Sequence, residues 1–417
     1  MNSKVVLFCL CCISIQSDGV SGKDTRGIEK RSVDLNSGPY YNSTLTGQHQ
    51  LVWRQGFAAV PGVTFEEHLR RTLEPSDFFY IITGDTQHWH PCTPDNLACQ
   101  RATDNCATRL QSSTLECHQR QSEYATKLQQ ISMAALNRRL AAASGRNAIT
   151  GLIINGDLTE FGHGDELARL KTLWTWSQFD QTIKVYPGLG NHDYDNNVGQ
   201  CTMDNCVNRM LRWFRDYVKD TLQLRIDLRT FTKYLLSEDN SGSLAYSWDQ
   251  CVASSTCFHF VQLNNYPTYA KHIDGWLLDW KILSSLNWLS NDLKRDGANK
   301  SVIINFHDFD TSFSPTDKLQ FRNVLESAVS SSPGTRILAV FFAHIHDRVG
   351  VKEHWCIGGR RVPMIYSGSV PGNNYLLTHF SSNSRSIKAL YAVRVESESV
   401  SYVESESVSG EQERCTF

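Results

Sequence analysis

Five short clusters of potential metal ligands dominate this sequence, and each follows an apolar run of the kind that forms a buried β-strand. They are Gly84-Asp85-Thr86-Gln87, Gly156-Asp157-Leu158-Thr159-Glu160, Gly190-Asn191-His192-Asp193, Asn305-Phe306-His307-Asp308 and Ala343-His344-Ile345-His346. Any one of them alone reads as a polar turn at a strand end. Together, in this order, they constrain the fold, because the strand ends that carry them have to meet in one place.

The apolar runs predict strands at 51–53, 78–83, 149–155, 182–187, 244–248, 258–263, 302–305, 337–342 and 362–367. Between them, apolar residues at helical spacing predict helices near 122–143, 166–176, 207–218, 283–293 and 318–329. Strands that alternate with helices imply a layered α/β architecture, a central sheet covered by helices on both faces. In such sheets functional groups gather beyond the carboxyl ends of the strands, which is where the five clusters lie.

The 417 residues suffice for one large domain or two modest ones. The expected organisation is a signal peptide at 1–21, a polar lead-in at 22–75, the main domain at 76–395 and a low-complexity tail at 396–417. Lys4 followed by the apolar stretch 5–15, with Gly19 and Ser21 as small residues beyond it, has the pattern of a secretory leader. The tail repeats Val-Glu-Ser-Glu-Ser-Val-Ser from Val395 and again from Val403, which predicts a polar tail, with a terminal edge strand as the alternative. No later segment is long and apolar enough to span a membrane. The net charge of −2, without any run of Lys and Arg, argues against binding to a nucleic acid polymer by phosphate neutralisation.

Of 13 cysteines, Cys9, Cys11 and Cys12 fall in the leader, and its removal leaves an even set of ten, as a disulfide-bonded extracellular protein requires. The short spacings predict Cys201–Cys206 and Cys251–Cys257. Cys92, Cys99, Cys106 and Cys117 are expected to pair among themselves in a stapled insertion at 88–121, and elimination leaves Cys356–Cys415. Asn42-Ser43-Thr44 and Asn299-Lys300-Ser301 are glycosylation sequons.

Carboxylates at Asp85 and Asp157, an amide oxygen at Asn191 and imidazoles at His307, His344 and His346 form a mixed N/O donor set without thiolate. Such a set suits Zn, Mn or Fe better than Ca. Two such ions close together lower the pKa of a bridging water and neutralise phosphate oxygens, while His192 is placed to act as a proton donor that Asp193 orients.

The ordered clusters resemble the calcineurin-like metallophosphoesterase family, whose pattern is Asp-x-His, Gly-Asp-x-x-(Asp/Glu), Gly-Asn-His-(Asp/Glu), a single His and Gly-His-x-His. The resemblance spans roughly residues 76–395. It implies a fold of two mixed β-sheets in a sandwich flanked by helices. It also implies one metal at Asp85, Asp157 and His346, a second at Asp157, Asn191, His307 and His344, and His192 as the acid. Gln87 stands where the family has a histidine ligand, and its carbonyl can still coordinate. This Asp-x-Gln variant is similar to members that act on nucleotide diphosphates and phospho-alcohol diesters. Ala343 replaces the glycine before the last motif and changes no ligand. The implied activity is hydrolysis of phosphoesters by a metal-bridging hydroxide in a secreted, extracellular enzyme, with a diester or diphosphate of phospholipid head-group or nucleotide type as substrate and peripheral membrane contact compatible with it. The rival reading is a catalytically weak secreted binding protein or toxin-like module, which the nearly complete ligand set argues against. His88, His90 and His163 are expected to line the pocket or the surface. The aromatics Tyr266, Tyr269, Trp276, Trp280 and Trp288 are expected to pack a helix and its approach loop rather than form a rim.

Overall fold

The run Phe78–Thr83 has no charged side chain, is buried throughout, and pairs on both edges, as a strand covered on two faces must. A computed structural model of the chain describes residues 50–54, 70–87, 114–146, 148–175, 183–195, 205–234, 237–253, 256–274, 278–395, 399–406 and 415. In chain order the elements begin with β1 (Gln50–Arg54), β2 (Phe78–Thr83), α1 (Thr114–Ser144), β3 (Ile149–Ile154), α2 (Gly164–Leu170), β4 (Lys184–Pro187), α3 (Asn191–Tyr194) and α4 (Asn205–Asp216). They continue with β5 (Arg229–Tyr234), β6 (Ser237–Gly242), β7 (Tyr246–Ala253), β8 (Thr256–Gln262), β9 (Lys271–Asp274), β10 (Leu278–Ile282), α5 (Leu286–Arg295), β11 (Ser301–Asn305) and α6 (Pro315–Ser331). The last are β12 (Arg336–Phe342), β13 (Val349–Ile357), β14 (Arg360–Ser367), β15 (Asn374–Ser381), β16 (Ser386–Val395) and β17 (Ser399–Glu406). Both α2 and α4 run on into a single π turn.

Two mixed sheets form a sandwich. One has seven strands in the order β1-β17-β16-β15-β2-β3-β4, the other six in the order β13-β14-β12-β11-β8-β7. Strands β2, β3 and β4 run parallel in the first; β14, β12, β11 and β8 run parallel in the second. A four-stranded sheet, β5-β6-β10-β9, stands apart. The fold class is therefore α/β with two mixed sheets flanked by helices.

Aromatic side chains from alternate positions fill the space between the sheets. Tyr186 stacks on Trp248 with centroids 4.0 Å apart, Tyr80 lies 4.6 Å from Phe260, and Phe78 lies 5.1 Å from Phe258. Polar groups of this layer are met within it and at its edge: the Trp248 indole N–H donates to the Tyr80 hydroxyl at 3.3 Å, which donates to Gln250 Oε1 at 3.4 Å. A second cluster, with Phe306, Phe321 and Phe342 at its centre, joins the outer face of the six-stranded sheet to α5 and α6. Helix α6 starts three residues earlier than its apolar period predicts, because Ser314 caps the Asp317 N–H and Pro315 occupies the first turn.

Several expectations are corrected. Helix α1 begins at Thr114, so the end of the cysteine-bearing insertion is helical. Leu283 precedes α5 and is exposed, while Leu289 and Leu293 are buried. The C-terminal repeat is neither a free tail nor an edge strand: β17 lies inside the sheet, antiparallel to β16 and parallel to β1. Trp280 sits on β10 rather than a helix, fully buried, its indole donating to Asn208 Oδ1 at 2.8 Å. Cys251–Cys257 and Cys356–Cys415 are disulfides as expected. Cys206 is also disulfide-bonded. Its expected partner Cys201, the other cysteine pairings, the leader and Trp276 lie outside the described residues. Among the described residues no helix is long and apolar enough to cross a membrane.

A charge cluster around the buried His259 and Asp292 ties α5 to the six-stranded sheet. His259 places Nδ1 2.8 Å from Asp249 Oδ1 and Nε2 2.8 Å from Asp292 Oδ2, and Lys300 pairs with the other Asp249 oxygen at 2.5 Å. An ionised carboxylate only accepts, so both ring nitrogens carry protons and the ring is an imidazolium. Burial opposes that charge, but the two carboxylates win and raise its pKa. Stability from a raised group is complete below its ordinary pKa near 6.5 and is lost as pH rises through the folded value. His259→Phe is expected to cost about 3–5 kcal/mol at neutral pH by leaving Asp292 uncompensated. Urea unfolding across the range from about pH 6 to about pH 9 is expected to show wild-type stability falling toward that of the variant.

Candidate metal centre

Strands β2, β3 and β4 of one sheet and β11 and β12 of the other all end at the same rim of the sandwich, and each delivers one cluster there. Cross-strand bonds continue past the strand ends. Asp85 N donates to Gly156 O and Gln87 N to Asp157 O, both at 2.9 Å, which locks the two aspartate loops together. Asp85, Asp157 and His344 adopt left-handed backbone at φ 50°, 50° and 69°. Such strain in non-glycine residues is sustained only where the surroundings over-determine it, commonly at functional sites.

The side chains converge. Asp157 Oδ2 is 3.0 Å from His307 Nε2; that nitrogen is also 3.1 Å from Asn191 Oδ1 and 3.1 Å from His344 Nδ1. Ligand atoms of Asp157, His307 and His344 lie within 4.8 Å of one another. Beside them, Gln87 Nε2 donates to Asp157 Oδ2 at 3.1 Å and His346 Nε2 approaches Asp85 Oδ1 at 3.4 Å. Asp157 belongs to both groups. The seven residues expected to ligate metals, Asp85, Gln87, Asp157, Asn191, His307, His344 and His346, therefore lie in two adjoining groups.

The donor set fits divalent cations on three observations. First, His307 Nδ1 donates to the Asn155 carbonyl at 2.8 Å, so Nε2 is the nitrogen that faces the Asp157 and Asn191 oxygens and would offer its lone pair once an ion displaces its proton. Second, among the described residues Gln87 Oε1 is buried without a hydrogen-bond partner, although such groups ordinarily find one, and Asp85 Oδ1 meets only the longer approach of His346 at 3.4 Å. Third, the charges are strongly interdependent. Burial would raise the Asp157 carboxyl, but His307 and His192 hold it below the usual carboxylate range, and burial would lower His307, but Asp157 pushes it up to about 10. His346 is raised by Asp85 against burial, while burial and His307 lower His344.

His192 follows Asn191 on the single turn of α3, so the two side chains diverge. The Asn191 amide faces His307, and the His192 ring faces Glu160, with Nδ1 3.0 Å from Glu160 O and 3.6 Å from Glu160 Oε1. Burial opposes its charge, yet Asp157 and Glu160 raise its pKa. The expected role of Asp193 as the orienting group is corrected. Its carboxylate accepts from Leu158 N, Thr159 N, Thr159 Oγ1 and Gly190 N at 2.9–3.1 Å, and so ties the β3 and β4 loops together. Glu160, three residues after Asp157 in the second cluster, is the carboxylate at the His192 ring. Asp308 and Thr311, next to His307 in sequence, were likewise not assigned a role. Asp308 accepts four hydrogen bonds from residues 310–312, and Thr311 Oγ1 lies 2.9 Å from His344 Nε2. His163 is half-exposed and turned to Glu166 at 3.4 Å, away from the ligand groups; His88 and His90 lie outside the described residues. Tyr269 is buried and packs edge-on against Tyr194, directly after the His192 turn.

No protein-family model and no curated protein matches the chain. Among solved structures, the chain is similar to a dimetal phosphatase from Danio rerio, with TM-score 0.39 and 12% identity over 79% of this chain and 99% of that one. It is also similar to a candidate 5'-nucleotidase from Staphylococcus aureus solved with α-ketoglutarate, with TM-score 0.35 and 12% identity over 80% of this chain and 55% of that one.

Two glycines make the convergence possible. A Cβ at Gly190 would lie 2.2 Å from Asp157 Oδ1, and one at Gly156, where φ is +83°, would lie 2.7 Å from His307 Nδ1. Gly156→Ala is expected to cost on the order of 1–3 kcal/mol in backbone strain and to turn the His307 ring off the Asn155 carbonyl. Gly145→Ala is the control, since φ there is +71° with nothing within 4 Å of the new methyl. Thermal unfolding should register both substitutions, whereas metal content by mass spectrometry should fall only for Gly156→Ala.

Proposed function

We propose that the chain is a dinuclear metal-dependent phosphoesterase of the calcineurin-like type. The observation that carries this reading is the buried meeting of Asp157, His307, His344 and Asn191, with Asp85, Gln87 and His346 alongside and Asp157 common to both groups. Asp85, Gln87, Asp157 and His346 would hold one ion; Asp157, Asn191, His307 and His344 the other. When bound, the ions supply an activated water and electrostatic neutralisation of phosphate oxygens. Zn, Mn and Fe suit the imidazole-rich group, and the amide oxygen of Gln87 biases the other toward Mn.

The chain's own contribution to the reaction is positional and protonic. The Glu160 carbonyl accepts the His192 Nδ1 proton, so Nε2 is the nitrogen directed to proton transfer. Asp157 and Glu160 raise its pKa against burial, which favours the protonated form that a donor to the departing alkoxide needs. Asp193 holds the Asp157 loop against Gly190 and so acts on the geometry rather than on the proton. For substrate we propose a phosphodiester or diphosphate of head-group or nucleotide type, in line with the Asp-x-Gln variant at Asp85 and Gln87. The disulfides Cys251–Cys257 and Cys356–Cys415 support an extracellular setting.

The test separates ligands from acid. Asp157→Ala should lose both ions. His192→Ala should keep them yet slow hydrolysis of diesters with poor leaving groups by on the order of 10²–10⁴, with a much smaller loss for activated aryl esters. Metal analysis together with the two rates decides it, and equal loss on both substrate types with metal retained would remove His192 from the acid role. Gln87→Ala should leave the ion at His307 and His344 in place while the other dialyses away against a mild chelator; retention of both would show that Gln87 is not a ligand.

A further inference from the structure

We infer that Asp308 and Thr311 form a positioning relay that fixes the tautomer of His344, so that its Nδ1, not its Nε2, faces the ion shared with Asp157, Asn191 and His307. The inference rests on the metal reading of the site and adds to it the device that sets one ligand's coordinating atom.

The argument runs outward from Asp308. This carboxylate is 2% exposed and accepts from Asp310 N and Thr311 N through Oδ1, both at 2.9 Å, and from Ser312 N through Oδ2 at 2.8 Å. These bonds fold residues 308–312 into a tight loop around one anion. The loop places the Thr311 hydroxyl 2.5 Å from Asp308 Oδ2 and 2.9 Å from His344 Nε2. An ionised carboxylate is an acceptor only, so the single hydroxyl proton goes to Asp308. Thr311 Oγ1 can then only accept from His344, which puts the ring proton on Nε2 and leaves the Nδ1 lone pair pointing at the ligand cluster, 3.1 Å from His307 Nε2. His307 reaches the same end by a different route, through the Asn155 carbonyl at 2.8 Å. The two imidazoles thus present opposite nitrogens to one point, each held by a partner on its far side.

Thr311→Val keeps the shape of the side chain and the backbone bond from Thr311 N to Asp308 but removes the hydroxyl. Thr311→Ser restores the hydroxyl without the methyl. Metal-free wild type and variants are titrated with Mn²⁺ and Zn²⁺ against a competing chelator, giving an affinity for each of the two ions. The expected result is an affinity loss of about 10–100-fold for one ion in Thr311→Val, with the other unchanged. Thr311→Ser should bind like the wild type, and Asp308→Asn should resemble Thr311→Val. A Thr311→Val protein that matches the wild type at both ions overturns the relay and leaves the metal site standing. Thr311→Ser as weak as Thr311→Val also overturns it, because packing of the methyl and not the hydroxyl would then be what matters. A wild type that binds neither ion overturns the metal reading and the relay with it.

Discussion

One buried carboxylate holds the candidate site together. Asp157 is fully enclosed, and desolvating an isolated charge of this kind costs several kcal/mol. Each of its atoms is engaged: Oδ1 accepts the His192 N–H at 2.9 Å, Oδ2 faces His307 and Gln87, and its carbonyl accepts the Gln87 N–H. Its backbone is left-handed, and Gly190 leaves room beside it for nothing larger than hydrogen. The residue therefore sits where the β2, β3 and β4 loops and the β11 end all press toward one point. Its position is set by both sheets, so the packing of the aromatic layer beneath bears directly on the geometry above.

That aromatic layer explains why the site can be rigid although it is built on loops. Tyr80, Tyr186, Trp248 and Phe260 interlock across the sandwich; Tyr80 and Tyr186 stand on strands that end at ligand loops, Phe260 on β8, which pairs with β11, and Trp248 on β7 beside it. Short connections leave a rigid strand, reach a first ligand within two to four residues, and are stitched to the neighbouring loop by backbone bonds. Little freedom remains to be lost when an ion binds, which is the condition for tight and selective coordination.

The parts of this architecture that were legible in the sequence share a physical cause. Strands that are continuous apolar runs, β2, β3, β8, β11 and β12, are all visible in that way, whereas β15 and β16, buried as fully, carry Asn, Thr, His, Ser or Lys within them and were missed. Strands exposed on one face leave no such run: β6 reads Ser-Glu-Asp-Asn-Ser-Gly and β9 Lys-His-Ile-Asp, and the small sheet they build went unseen. The ligands were legible because metal chemistry restricts residue type. The residues around them were less so, because Glu160, 32 positions from His192 in sequence, reaches that ring only through the fold, whereas Asp193 is its neighbour in sequence. Hence Asp193 was expected at the His192 ring where the fold places Glu160, and Thr311 carried no signal beyond a hydroxyl in a run of turn formers.

The two ends of the described chain meet at one border of the seven-stranded sheet. β1, from the start, lies parallel to β17, from the finish, and β17 alone connects it to β16. The order in which the chain emerges during synthesis therefore differs from the order in which this border can close: β1 is made first and has nowhere to go until the last strand arrives. The Cys356–Cys415 bridge closes beyond β17 and bonds the chain end back beside β13 and β14, where Cys415 N donates to Gly359 O at 3.1 Å. A chain shortened after Val395 would strand two segments, not one. It would also leave the unpaired N–H and C=O groups of β16 as a template for any other extended chain, the condition under which sheet proteins self-associate.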